Sequence, residues 1–139
     1  MRLKKISVVV VDDNPVVREA IVKLLAGMQK TIRVVAEAAN GEEFLAVARV
    51  VRADVYLVDI EMPVLGGIEA TERLLRAAPG SKVVILSIYR DRVLVERAFR
   101  AGARGYVLKE NAVKDILRAI EAVHGGGVWA SAPIERYLR

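Results

Sequence analysis

Five short apolar runs, separated by segments with helical periodicity, constrain the fold of this chain more than any other feature. Each run is almost entirely apolar, which is typical of parallel strands covered by helices on both faces. Strict alternation of strands and helices requires crossover connections, and such connections are right-handed. The predicted strands are Ile6 to Val11, Ile32 to Ala36, Val55 to Val58, Lys82 to Ser87 and Gly105 to Lys109. The sequence therefore predicts an α/β fold with one parallel sheet between two helical layers.

Capping residues mark where the helices begin. Asn14 followed by Pro15 is typical of a helix start, because the Asn side chain caps free N–H groups and proline suits the first turn. Asn40, with Glu43 three residues later, forms a capping-box pattern. Five helices are predicted. The first begins at Pro15 and has an apolar stripe that reaches Met28, and the others run from Asn40 to Val51, about Ile68 to Ala77, about Asp91 to Arg100, and about Ala112 to Val123.

The composition excludes several classes of site. The 139 residues suit a single domain, and they include no Cys and one His, His124. This rules out a disulfide framework, a zinc–thiolate site, a cysteine nucleophile and a multi-histidine metal site. The apolar run Ile6 to Val11 is too short to span a bilayer and lacks the cleavage pattern of a signal peptide. We therefore expect a cytoplasmic protein without a membrane segment.

The net charge of +5 is unevenly distributed along the chain. Residues 90–110 carry six basic side chains against three acidic ones. A basic balance can attract polyanions, but no aromatic side chains interleave with these arginines for stacking on bases. We therefore interpret the arginines as solvated helix faces, and we expect no direct nucleic-acid binding by this chain.

Polar side chains follow four of the five predicted strands. Asp12 and Asp13 end the first strand, Asp59 follows the third, and Ser87 and Lys109 end the fourth and fifth. In a doubly wound sheet of strand order 2-1-3-4-5, these four strands are neighbours and their carboxyl ends share one crevice. The sequence therefore predicts that these five side chains meet.

This combination of side chains has the parts of a phosphoryl-transfer site. Three close carboxylates repel one another, and a divalent cation such as Mg²⁺, which prefers oxygen ligands, removes that repulsion. Lys109 would neutralise phosphoryl oxygens, Ser87 would donate a hydrogen bond, and Asp59 would attack phosphorus to form an aspartyl phosphate. Singly, each residue has a plainer interpretation as a solvated loop acid, a strand-end hydroxyl or a surface lysine. The combination is far more specific.

These residues resemble the receiver domains of two-component response regulators. The resemblance is carried by Val11-Asp12-Asp13-Asn14-Pro15, Val58-Asp59-Ile60-Glu61-Met62-Pro63, Ser87, and Gly102 to Lys109, and it covers residues 5 to about 124. The strand Gly105 to Lys109 and the ending Ala119 to Trp129 are similar to the NarL/FixJ (LuxR-type) subfamily. The resemblance implies a flavodoxin-like fold, a doubly wound five-stranded parallel sheet with five helices.

The resemblance also implies a role for each matching residue. Asp59 would accept phosphate from a sensor histidine kinase, and Ser87 and Lys109 would contact the phosphoryl group. Magnesium would be held by Asp13 and Asp59 directly, by Asp12 through water, and by the backbone carbonyl of Glu61. Tyr106 would be an aromatic switch that responds to movement of Ser87. The protein would thus be a phosphoacceptor that catalyses its own phosphotransfer and dephosphorylation, and not an enzyme acting on a separate substrate.

The chain departs from the family pattern at four places. Ser87 stands where Thr is also common, and Gly66 stands where Asp is frequent. Ile88 stands where a small residue is usual and would crowd the phosphoryl pocket. In this subfamily a helix-turn-helix DNA-binding domain usually follows the receiver, but the sequence stops at Arg139. We therefore predict a receiver domain over residues 1–124 and a linker or tail over 125–139, with a helical turn near Ile134 to Leu138. The tail would lead toward an absent output domain, and we expect it to be dispensable for the chemistry.

Two other functions remain open at this point. One is a pseudo-receiver that only dimerises and is not phosphorylated, an alternative left open by Ile88 because it would crowd the phosphoryl pocket. The other is an Mg²⁺-dependent phosphatase with an Asp nucleophile, because Asp59-Ile60-Glu61 is similar to the D-x-D signature of haloacid-dehalogenase-like hydrolases. That fold places its active Asp after the first strand and needs room for a cap domain, so the receiver interpretation is preferred. A phosphorylation-dependent homodimer through the last two helix–strand units is also predicted.

Overall fold

The computed structural model describes residues 4–138. They form one parallel sheet in the order β2-β1-β3-β4-β5-β6. The α/β class and the order 2-1-3-4-5 of the first five strands confirm the prediction, but the sheet has six strands and not five. The strands are β1 (Ile6–Val11), β2 (Ile32–Ala38), β3 (Val55–Asp59), β4 (Val83–Ser87), β5 (Gly105–Leu108) and β6 (Trp129–Ala130).

Five α-helices connect the strands, and their starts follow the predicted caps. The Asn14 side chain accepts hydrogen bonds from the N–H groups of Val16 and Val17, and the Asn40 side chain accepts one from Glu43 N. These side chains satisfy donors that the first helical turn leaves free. The helices are α1 (Pro15–Ala26), α2 (Gly41–Val50), α3 (Gly67–Ala77), α4 (Arg92–Arg100) and α5 (Ala112–His124).

The core lies on both faces of the sheet. In β1, Val9 and Val11 belong to the cluster on one face, and Val8 and Val10 belong to the cluster on the other. This alternation follows from the two-residue period of a strand, and it explains why the run is apolar throughout. Every residue of β3, β4 and β5 is buried. Each fully buried Val or Ile contributes roughly 1.5–3 kcal/mol through the hydrophobic effect.

Gly67 fixes the sharp turn that follows β3. A Cβ at this position would lie 2.0 Å from the backbone oxygen of Asp59. The N–H of Gly67 donates to the carbonyl oxygen of Ile60 at 2.8 Å, which holds the loop closed as α3 begins. The absence of a side chain at Gly67 therefore allows the backbone to pass directly behind Asp59.

The segment expected to be a linker is folded onto the domain. Residues 129–130 form the sixth strand beside β5, and Ala132–Leu138 form a 3₁₀ helix that packs against α4. Ile134 is completely buried in the core cluster that also contains Tyr106. The predicted domain boundary at residue 124 therefore does not coincide with the end of the packed structure. Residues 1–3 and 139, which the predicted domain and tail include, lie outside the described residues.

Over residues 4–138, none of the helices has both the length and the apolar character that crossing a membrane requires.

Candidate functional site

The carboxyl ends of β1, β3, β4 and β5 surround a crevice of about 570 Å³. The residues that line it are Asp12, Asp13, Asn14, Val17, Asp59, Glu61, Met62, Pro63, Ile88, Tyr89 and Lys109. A larger hollow of about 790 Å³ is lined by one carboxylate, that of Asp54, together with Arg49 and Arg52, and it contains no cluster of acidic side chains. The side-chain chemistry, and not the volume, therefore identifies the candidate site.

Three carboxylates meet in this crevice. One oxygen from each of Asp12, Asp13 and Asp59 lies within 4.8 Å of the other two. Asp12 and Asp59 are buried, with 1% and 8% of their surfaces exposed, whereas Asp13 is exposed. Oxygen ligands at this spacing fit a hard divalent cation such as Mg²⁺. The structure thus brings together the acidic residues that the sequence predicts.

Asp12 is held by hydrogen bonds on all its oxygens. Its Oδ1 accepts from Asn14 N at 3.0 Å, and its Oδ2 accepts from Lys109 Nζ at 2.9 Å. Its backbone oxygen accepts from Arg18 Nη1 at 2.7 Å. Arg18 also donates from Nε to Glu37 Oε1, so α1 and β2 together brace the loop. Because both carboxylate oxygens are engaged, Asp12 has less freedom than Asp13 to bind a cation directly.

Lys109 links the acidic cluster to the end of β5. Its Nζ lies 2.9 Å from Asp12 Oδ2 and 3.5 Å from Asp59 Oδ1. Burial raises the pKa of Asp59 to about 6, the Lys109 ammonium opposes this, and the charges of Asp12 and Asp13 add to it. The Asp59 carboxylate is therefore costly to ionise without a further positive charge nearby.

The backbone of Tyr89 connects the two predicted switch residues. Its N–H donates to Ser87 Oγ at 3.0 Å, and its carbonyl oxygen accepts from the Tyr106 hydroxyl at 2.7 Å. Ser87 is completely buried and is not among the residues that line the crevice. Tyr106 is also completely buried, and burial raises its pKa. Ser87 and Tyr106 therefore share the backbone of Tyr89 as a hydrogen-bond partner.

Tyr89 and Glu61 bridge the mouth of the crevice. The Tyr89 hydroxyl donates to Glu61 Oε2 at 2.6 Å, which joins the loop after β4 to the loop after β3. This hydrogen bond raises the pKa of the Tyr89 hydroxyl. Beside them Ile88 is 65% exposed and lines the crevice, so its side chain points away from the sheet. Ile88 therefore borders the crevice that contains Asp59.

Sequence reasoning missed Arg18 and Tyr89 as site residues. In the sequence, Arg18 is like any basic residue on the solvent-facing side of a helix, and its partner Glu37 is nineteen positions away. No local pattern distinguishes it. Tyr89 had a clearer signal, because it lies two residues after Ser87 at a strand end that carries polar side chains. A tyrosine hydroxyl in the loop after β4 can reach polar groups of the loop after β3, where Glu61 lies.

Comparisons with known proteins give matches in sequence and in fold. The family described as response regulator receiver domain matches residues 8–121. A solved two-component response regulator of the LuxR family from Aurantimonas sp. SI85-9A1 is 31% identical, with a TM-score of 0.90. The match covers 97% of this chain and 96% of that chain.

Two curated proteins are similar over most of the sequence. The response regulator GacA of Pseudomonas aeruginosa is 38% identical over 133 residues, covering 96% of this chain and 62% of GacA. The transcriptional regulatory protein LnrK of Bacillus subtilis is 36% identical over 123 residues, covering 88% of this chain and 56% of LnrK. The chain therefore spans about three fifths of the length of these relatives.

Proposed function

Because the chain belongs to the response regulator receiver domain family, and is the receiver domain of a two-component response regulator, we propose that it accepts a phosphoryl group on Asp59 in an Mg²⁺-dependent reaction. The observation that carries this proposal is the contact of Lys109 Nζ with Asp12 and Asp59 inside a cluster of three carboxylates. A lysine and a cation site on either side of one carboxylate would neutralise a phosphoryl group there.

The residues for Mg²⁺ are Asp13 and Asp59 as direct ligands, Asp12 through water, and the backbone carbonyl of Glu61. The two hydrogen-bonded oxygens of Asp12 support its indirect role. The exposure of Asp13 supports a direct one. When bound, the metal would supply positive charge to the phosphoryl oxygens and remove the repulsion among the carboxylates.

Asp59 is the nucleophile in this proposal. One of its oxygens attacks phosphorus, the bond from phosphorus to the leaving group breaks, and the leaving group departs with that electron pair. From acetyl phosphate it departs as the acetate anion, and from a phosphohistidine it departs as imidazole that carries a proton on the nitrogen that held phosphorus. Lys109 moves from Asp12 toward the phosphoryl oxygens and balances their charge. Ser87 moves away from Tyr89 N and donates a hydrogen bond from its hydroxyl to one of these oxygens. Hydrolysis by water returns free Asp59, so the domain catalyses its own dephosphorylation.

The signal leaves the site through Ser87 and Tyr106 in this proposal. Both bond to the backbone of Tyr89, so a shift of Ser87 toward phosphate changes the partner of the Tyr106 hydroxyl. A sensor histidine kinase supplies the phosphoryl group. The output is control of transcription through a DNA-binding domain, which the name of LnrK and the greater length of the relatives support. Phosphorylation promotes a homodimer.

The test is incubation of the purified chain with acetyl phosphate and Mg²⁺, followed by intact-mass measurement. We expect a gain of one phosphoryl group that needs Mg²⁺ and is released by hydroxylamine, as acyl phosphates are. Asp59→Asn is the matched control, since Asn has the same shape but cannot attack. No stable phosphoprotein and no turnover would favour the pseudo-receiver, and rapid multiple turnover of the donor would favour the phosphatase.

A further inference from the structure

The tail lies in register beside the strand that leads to Lys109. Trp129 N donates to the backbone oxygen of Arg104 at 3.0 Å, and Ser131 N donates to the backbone oxygen of Tyr106 at 3.1 Å. In the parallel pairing of β6 with β5, Gly105 faces Trp129 and Tyr106 faces Ala130. Backbone hydrogen bonds therefore fix where residue 131 lies relative to the end of β5.

The Ser131 hydroxyl continues the hydrogen bonding to β5 beyond the last residue of β6. Its Oγ accepts a hydrogen bond from Leu108 N at 3.0 Å, and both residues are completely buried. Strand β6 has ended at Ala130, so the side chain satisfies a donor that no further residue of the strand reaches. Since a buried N–H is costly to leave unpaired, the hydroxyl holds the last residue of β5 in place.

Asp115 orients this hydroxyl. Ser131 Oγ donates to Asp115 Oδ2 at 2.8 Å, and Asp115 has 5% of its surface exposed. Because the hydroxyl proton is directed to the carboxylate, the oxygen lone pairs are free for Leu108 N–H. Asp115 lies in the first turn of α5, where the positive end of the helix dipole stabilises a carboxylate.

Lys109 lies between the two elements that Ser131 joins. It follows Leu108 directly, and the short 3₁₀ segment Lys109–Asn111 leads into α5, which carries Asp115. One hydroxyl therefore joins the backbone N–H of the residue before the lysine to a side chain of α5, six residues after the lysine. Its ammonium must then span the distance from that backbone to Asp12 and Asp59.

We propose that Ser131, oriented by Asp115, is a positioning residue that places the Lys109 ammonium for contact with the phosphoryl group on Asp59. This inference rests on the proposed function of Asp59. It departs from the expectation that the tail is dispensable for the chemistry. In a preorganised site, an error of about 1 Å in a charged group costs up to about 10²-fold in rate, so loss of the hydroxyl should be measurable at Asp59.

The experiment separates phosphoryl-group binding from metal binding in the full chain. Calorimetry measures the affinity for Mg²⁺ alone, and then for beryllofluoride, a phosphoryl-group analogue, at saturating Mg²⁺. The variants are Ser131→Ala and Asp115→Ala, which break the contact, and Asp115→Asn, which keeps an oxygen acceptor for the hydroxyl. Ile120→Val, in the same helix but on the apolar face, is the control for a general loss of stability.

We expect Ser131→Ala and Asp115→Ala to weaken beryllofluoride binding about 10-fold while Mg²⁺ affinity stays within about 2-fold, since the metal ligands are elsewhere. Asp115→Asn should retain most of the affinity, and Ile120→Val should melt earlier with both affinities unchanged. The amide of Leu108 should exchange with deuterium faster in Ser131→Ala than in Ile120→Val.

Unchanged beryllofluoride affinity in Ser131→Ala and Asp115→Ala overturns the positioning role. Parallel weakening of Mg²⁺ and beryllofluoride binding overturns it too, because that pattern indicates a general loss of the site. If Ser131→Ala does not fold, the contrast between Asp115→Ala and Asp115→Asn decides. A wild-type chain that does not bind beryllofluoride at all contradicts the proposed function of Asp59 itself, which is a different result.

Discussion

Asp59 has a raised pKa because its carboxylate is buried among other acids. A carboxyl whose pKa is raised from 3.8 to about 6 on folding is stabilised in its protonated form. Its contribution to stability is fully present below pH 3.8 and is lost as the pH rises through about 6. In the absence of metal, wild type should therefore gain stability relative to Asp59→Asn as the pH falls from 7.5 to 5.

Between pH 7.5 and 5 that gain should be about 1–1.5 kcal/mol, since one pKa unit corresponds to about 1.4 kcal/mol and the carboxyl of the unfolded chain is still mostly ionised at pH 5. Urea unfolding of both proteins with a chelator at several pH values measures it. Saturating Mg²⁺ should reduce the pH dependence, because the cation favours the ionised carboxylate. A difference between the two proteins that stays constant from pH 7.5 to 5 would contradict the raised pKa.

We expect Ile88 to limit the room that a phosphoryl donor has in front of Asp59. Its side chain is 65% exposed at the crevice, and its β-branch restricts χ1, so it cannot easily swing aside. Ile88→Ala should speed phosphorylation by acetyl phosphate about 3- to 10-fold. It should also speed hydrolysis of the aspartyl phosphate, because water uses the same approach.

Val93→Ala is the matched control for Ile88→Ala. Val93 is 67% exposed on α4 and does not line the crevice. Both substitutions should change stability by less than about 0.5 kcal/mol, because neither side chain is in the core. Equal rates for wild type, Val93→Ala and Ile88→Ala would show that Ile88 does not limit access.

Among the elements, the junction of β3 and α3 leaves no room for a side chain at Gly67. A methyl group at Gly67 would lie 2.0 Å from the oxygen of Asp59 and 3.1 Å from the Cα of Ile60, both backbone atoms that cannot rotate away. Gly67→Ala should therefore cost about 2–3 kcal/mol of stability through overpacking, and should displace Asp59. Chemical unfolding with and without Mg²⁺ measures both effects.

Gly80→Ala provides the comparison for Gly67→Ala. No atom lies within 4 Å of a Cβ at Gly80, so the substitution should be close to neutral. If Gly67→Ala unfolds at the same denaturant concentration as Gly80→Ala, the turn after β3 is more adaptable than its geometry indicates.

The sequence predicted the elements with strong periodic patterns and missed the one without a pattern. The apolar runs and the caps at Asn14 and Asn40 placed the first five strands and the five helices, and the family prediction is confirmed. Strand β6 is two residues long and follows three glycines, so no local signal favours a strand there. Its pairing depends on the free edge of β5, which is a property of the tertiary structure.

The strand-end residues of the site were predictable from the sequence, and the contacts made by its loops were not. Strand ends bring Asp12, Asp13, Asp59 and Lys109 together, so knowing the strand order was sufficient. The contacts of Arg18, Tyr89 and Ser131 depend on side-chain directions and on loops, and these are set by packing. The sequence alone could not supply them.

For the whole molecule, we expect phosphorylation to alter self-association. The predicted contact involves the last two helix–strand units, in which Arg97 and Arg100 of α4 line a hollow together with Glu72 of α3. The tail contacts the same helix through Arg92, which lies 5.9 Å from the centre of the Tyr137 ring. Beryllofluoride should change the sedimentation coefficient of wild type but not of Asp59→Asn. The shift should diminish as salt rises, because screening weakens contacts between exposed charges. An identical mass with and without beryllofluoride would rule out this response.

The sixth strand also bears on solubility. At the opposite edge of the sheet, β2 presents the exposed charges of Arg33 and Glu37, which discourage pairing with another molecule. The edge of β5 has no charge within Gly105–Leu108, and it is covered by two backbone hydrogen bonds from the tail. A chain cut after His124 would expose an apolar strand with free N–H and C=O groups, which is the kind of edge that templates aggregation. Preparations trimmed to the predicted boundary should therefore scatter light on concentration, while the full chain stays clear.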